Sequence, residues 1–108
     1  MYKRQLLDAG DTLHGTIFAN IAQGQSVVEA VNKMGLTAMT AGNHDYNYGY
    51  KRLLELKDLA NYSILGSNVV DENGNQILDG SQIVEINGVK VGICLLYTSD
   101  AADDCCRV

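Results

Sequence analysis

"TAGNHDYNYG", residues 40–49, is the stretch on which the reading of this chain turns. Gly42, Asn43, His44 and Asp45 stand side by side directly after a short apolar run, with Tyr46, Tyr48 and Tyr50 close behind. One of only two histidines is thus set between a carboxamide and a carboxylate. The plain interpretation is a polar turn; the sharper one is the rim of a metal site. The flanks bear on the choice. "LTAMTA" (36–41) reads as a buried strand that ends at the Gly42 loop. A helix is expected from about Gly49 to Ala60, with Leu53, Leu56 and Ala60 on one face and Leu59 beside them. "YSILGSNVV" (62–70) reads as a further strand.

Upstream, "QLLDAGD" (5–11) predicts a short strand with Leu6 and Leu7 inside and Asp11 just past its end. Helical spacing follows from Thr16 to Met34, opened by Ile17, Phe18 and Ile21 and interrupted at Gly24–Ser26. Ser26 is the expected cap of the second helix, with Glu29 at capping-box distance. Val27, Val31 and Met34, with Val28 alongside, form its apolar stripe, and Gly35 ends it. Downstream, "QIVEINGVKVGI" (82–93) carries Asn87-Gly88 between two alternating runs, a strong hairpin signal. "DENGN" (71–75) marks a turn before it. The expected fold class is therefore α/β: a parallel βαβαβ arrangement followed by an antiparallel hairpin.

Composition narrows the function. At 108 residues the chain holds at most one small domain, and 46% hydrophobic residues exclude compositional disorder. A net charge of −5 argues against a nucleic-acid partner. No run approaches the roughly 20 apolar residues of a membrane span, and Met1–Arg4 with Leu6 and Leu7 does not read as a secretory leader before Asp8. Both ends, "MYKRQ" and "CLLYTSDAADDCCRV", resemble a translated transposase sequencing adapter read from opposite strands. Residues 6–93 are accordingly taken as the natural segment, with 1–5 and 94–108 as flanks. All three cysteines (Cys94, Cys105 and Cys106) fall in the second flank, so no metal or redox role is read into them.

The loops after the first two strands hold the chemistry. In open parallel sheets ligands bind beyond the carboxyl ends of the strands, and neighbouring strands lie roughly 5 Å apart. Asp11, Asn43 and His44 can therefore face one pocket, with Gly10 and Gly42 permitting close backbone approach. A carboxylate can bridge two divalent ions, an amide oxygen is a neutral hard ligand, and an imidazole binds metal or moves protons.

"DAGDTLHGT" and "TAGNHDYNYG" together resemble the Gly-Asp and Gly-Asn-His-Asp/Glu motifs of the calcineurin-like metallophosphoesterases. Within that superfamily the chain is most similar to the bacterial 5′-nucleotidase and UDP-sugar hydrolase type, over residues 6–93. The resemblance implies part of an αββα sandwich and a nucleotide-degrading enzyme with two divalent metal ions (Mn, Mg, Fe or Zn). It implies that Asp11 bridges the metals and Asn43 ligates one of them. It implies, too, that His44 stabilises the transferring phosphoryl group and protonates the leaving oxygen. Two such metals hold the phosphate, activate water and offset charge in an in-line displacement. Where many relatives carry an aspartate to orient the histidine, this sequence has Asn47, which implies a less basic His44. Asp45 is the alternative partner for that ring.

The resemblance also implies an Asp-x-His motif before Leu6, further metal-binding histidines after Ile93, and a separate C-terminal substrate domain in the parent protein. None is in the sequence, so the chain as written is expected to be inactive. The implied partner is a small-molecule nucleotide, and the implied location of the parent is periplasmic, cell-surface or secreted. Two other readings stand beside this one: a metal-free α/β nucleotide- or phosphate-binding module, and an orphan fragment with no activity. His14 reads as a loop residue near the site, with substrate contact as its functional alternative. Asp8 reads as a strand-end residue bonding backbone groups, and the tyrosines as core and helix-entry residues or a substrate platform.

Overall fold

Short apolar runs with few side chains that compete for the backbone make Ala38–Thr40 and Ser63–Leu65 strands covered on both faces, the expected state of a parallel sheet. The computed structural model describes residues 5–96. Strands β1 (Leu7–Asp8), β2 (Ala38–Thr40) and β3 (Ser63–Leu65) form a parallel sheet in the order β1-β2-β3. Leu7 lies opposite Ala38, and Met39 opposite Ile64. Helices α1 (Ile17–Ile21) and α2 (Gln25–Met34) connect β1 to β2, and α3 (Tyr50–Leu59) connects β2 to β3. A single 3₁₀ turn, Asn43–Tyr46, stands between β2 and α3. Strands β4 (Ser81–Ile86) and β5 (Val89–Cys94) form the antiparallel hairpin. Asn87 and Gly88 have φ of 51° and 80°, the two positive values that a type I′ turn demands.

Side-chain alternation along the strands divides the core between two faces. Met39 and Ile64 join Val28, Val31, Leu53 and Leu56 on the helical side. Ala38 and Leu65 meet Ile93, with Val84, Val91 and Leu95 packed around them, on the hairpin side. Leu53 and Leu56 are fully buried, and each such side chain stabilises the fold by roughly 1.5–3 kcal/mol.

Several expectations are corrected. Leu6 and Leu7 are not inside: they are 42% and 48% exposed. Strand β1 is two residues long at the sheet edge, and no layer among the described residues covers it. Ile17, Phe18 and Ile21 are exposed as well, and only Ala19 of α1 is buried. Ser26 does not cap α2. That helix begins two residues earlier, with Gly24 as its cap, so the Ser26 hydroxyl donates back to the Phe18 carbonyl at 2.5 Å while Glu29 accepts from the Gln25 amide. Met34 and Leu59 lie at the solvent edge of their stripes. The third strand stops at Leu65, because the chain leaves the sheet at Gly66 to bond the Asp79 carbonyl.

Candidate functional site

Strands β1 and β2 are hydrogen-bonded neighbours, so the loops that leave their carboxyl ends meet. The approach is close. A Cβ on Gly10 (φ 99°) would stand 2.8 Å from Gly42 N and 2.9 Å from Thr40 O. A Cβ on Gly42 would collide with the Asp11 carboxylate. Only glycines allow the two loops to interleave so tightly. Asp11 itself has φ of 57°, in the left-handed region where aspartate is tolerated better than most residues. Its Oδ1 accepts the His44 N–H at 2.9 Å. Asp11, Asn43 and His44 therefore stand together at the strand ends, the half-buried Asn43 opening the 3₁₀ turn and His44 exposed beside it.

Asp45 is the residue whose role the sequence reading missed. It is buried, and its carboxylate accepts four backbone N–H groups. Oδ2 takes those of Asp11 and Gly42, both at 2.8 Å. Oδ1 takes Thr12 at 3.0 Å and Leu13 at 2.9 Å. Burial raises its pKa, the N–H bonds from Leu13, Gly42 and Asp11 pull against that rise, and the Asp11 charge adds to it. The available signal was an acid in the first turn of a short helix, where N–H groups point outward. Asp45 is thus a staple between the loops, and it is not the partner of the His44 ring.

That partner is Asn47, whose Nδ2 lies 3.1 Å from His44 Nδ1. The same nitrogen lies 3.2 Å from His14 Nδ1 and 3.4 Å from His14 Nε2. The two imidazoles are near-parallel, at 9° with centroids 5.9 Å apart, and Tyr48 backs His14 at 5.1 Å. Asp8 is engaged as a strand-end residue, accepting the Gly10 N–H at 2.9 Å and the Thr12 hydroxyl at 2.6 Å. Of the tyrosines, Tyr46 packs on the core, Tyr48 on His14, and Tyr50 opens α3 in an exposed position.

The donor chemistry of Asp11 and Asn43 suits a hard divalent cation. Among the described residues no group of three or more His, Cys, Asp or Glu is placed to hold one. A cavity of about 470 Å³, lined by Tyr50, Val70, Asp71, Glu72, Asn73 and Ile77, shares no residue with this site.

The chain is similar to snake venom 5′-nucleotidase of Gloydius brevicauda, with 36% identity over 94 residues that cover 82% of the chain and 16% of that protein. It is also similar to the 5′-nucleotidase of Vibrio cholerae, at 28% over 98 residues. The solved 5′-nucleotidase precursor of Thermus thermophilus superposes with a TM-score of 0.77 at 27% identity, covering 87% of the chain. The chain belongs to the 5′-nucleotidase type of metallophosphoesterase. Its α/β architecture, a parallel three-stranded sheet with an antiparallel hairpin, corresponds to part of the N-terminal domain of these 5′-nucleotidases. The chain spans 16–19% of the length of these 5′-nucleotidases. No protein-family model matches it. No helix among its described residues is long and apolar enough to cross a membrane.

Proposed function

We propose that this segment supplies part of the catalytic centre of a phosphoesterase that hydrolyses nucleotide phosphate esters. The observation that carries the reading is the junction of the two loops. Asp11 and His44, 33 residues apart, are joined by a direct hydrogen bond at the carboxyl ends of paired parallel strands, and the Asp45 carboxylate also accepts the Asp11 N–H. In this reading Asp11 and Asn43 hold divalent metal, two ions in the complete protein, drawn from Mn, Mg, Fe or Zn. When bound, the metal supplies charge neutralisation at the phosphate. His44 faces the phosphoryl group and gives a proton to the leaving oxygen, and Asn47 orients its ring. The substrate class is a nucleoside 5′-monophosphate, with UDP-sugars and cyclic nucleotides as competitors. The remaining donors and the C-terminal substrate domain belong to the parent protein, which is exported. Residues 1–5 and 94–108 lie outside the natural segment, and the 108-residue chain does not turn over substrate by itself.

The test is phosphate release from AMP with Mn²⁺. The full-length parent is active, chelation abolishes the activity, and Asp11→Asn or His44→Ala lowers kcat by about 100-fold or more. The isolated chain releases no more phosphate than its His44→Ala variant. Nucleotide affinity indifferent to chelator, without turnover, would favour the metal-free α/β binding module. Chelator-sensitive turnover by the isolated chain would overturn the claim that it is incomplete.

A further inference from the structure

Asn47 serves two rings, and the distances show how. Its amide nitrogen is almost equidistant from both ring nitrogens of His14, at 3.2 and 3.4 Å. An approach within the ring plane at those distances would run into Cε1, so the nitrogen lies over the face of His14. The same nitrogen meets His44 at Nδ1 alone, at 3.1 Å. A carboxamide nitrogen has two N–H groups, enough for the His44 lone pair and the His14 π face together.

His14 thereby selects which end of the Asn47 amide faces the rings. A ring face is electron-rich: it attracts an N–H and repels a carbonyl oxygen. With the nitrogen inward, His44 Nδ1 must be an acceptor, and its single neutral-state proton sits on Nε2. With the amide reversed, the oxygen would demand an N–H at His44 Nδ1. His14 is itself held in place. Tyr48 packs against it with planes tilted by 56°, the Tyr48 hydroxyl donates to Asn20 Oδ1 at 2.6 Å, and that oxygen also accepts the Gly15 N–H at 3.0 Å.

We propose that His14 is a positioning residue: through the Asn47 amide it fixes the His44 proton on Nε2, the outward nitrogen. What this does for a leaving group rests on the phosphoesterase reading. The tautomer itself does not, and it is measured without metal or substrate, so the two claims fail separately.

The experiment is imidazole ¹⁵N NMR on the full chain at alkaline pH. The expected result is a His44 ring held as the Nε2–H tautomer in the wild type. In His14→Ala the two His44 tautomers average, because the Asn47 amide is free to turn. In His14→Phe, which keeps a flat face, the Nε2–H form is retained. In Asn47→Asp the proton moves to Nδ1, because a carboxylate only accepts. Backbone amide spectra check that each variant keeps the fold. A His44 ring already averaged in the wild type, unchanged in His14→Ala, or averaged in His14→Phe would overturn the proposal.

Discussion

The Asp45 carboxylate accepts the backbone N–H of Leu13 at 2.9 Å across 32 residues of sequence. Together with its bonds to Asp11, Thr12 and Gly42, it holds the β1 loop against the turn after β2. An amide at this position would present two N–H groups to a cage built entirely of donors. Asp45→Asn is therefore expected to cost about 2–4 kcal/mol, as buried donors lose their partners. Urea unfolding measures it; a loss below about 1 kcal/mol would mean that the loops hold together without the staple.

Buried hydroxyls give a second expectation. Tyr46 and Tyr62 carry OH groups with no hydrogen-bond partner among the described residues. Burial pushes both pKa values up from 10.0 to about 12, with the Asp45 charge adding to it at Tyr46, and those of Asp8 and then Asp45 at Tyr62. The folded protein thus keeps the phenolic protons where the unfolded chain releases them. That contribution to stability is complete below pH 10 and is lost as pH rises towards 12. Tyr62→Phe should change stability at neutral pH by less than about 1 kcal/mol and make the alkaline decline shallower. A decline of unchanged steepness in the Tyr46→Phe/Tyr62→Phe double variant would assign it to other groups.

A third expectation concerns the end of β5. Cys94 pairs with Ser81 in the ladder, and the Leu95 carbonyl accepts from both the N–H and the hydroxyl of Ser67, at 3.1 and 3.2 Å. A ladder uses backbone groups that any residue supplies, so residues 94–96 can extend the strand whatever their side chains. Truncation after Ile93 should cost about 1–2 kcal/mol relative to truncation after Leu96, for these bonds and the Leu95 packing. Equal thermal midpoints for the two truncations would show that the fold does not depend on residues 94–96.

What the sequence disclosed follows from which interactions are local. The hairpin was legible because Asn87-Gly88 has one economical backbone solution, and α3 because Leu53 and Leu56 recur at helical spacing. Asp11, Asn43 and His44 could be placed together because parallel strands align their ends. Leu6 and Leu7 misled, since apolar character shows that a surface favours burial without supplying the layer that covers it. Ser26 had the right spacing for a cap, but the turn at Gly24 started the helix two residues earlier. The cage around Asp45 and the sharing of Asn47 by His14 and His44 were invisible, because their partners are distant in sequence and mostly backbone.

The central claim, that the junction of the two loops is a metal site, is tested most directly by titrating Mn²⁺ into the ¹⁵N-labelled full chain. Paramagnetic broadening is sensitive enough to report a site with an incomplete donor set. The account predicts early broadening of the Asp11, Asn43 and His44 amides. It should be reversed by chelator and lost in Asp11→Asn and in Gly42→Ala, whose Cβ would take the place of the Asp11 carboxylate. Broadening centred instead on exposed carboxylates such as Glu72, or unchanged by Asp11→Asn, would contradict it.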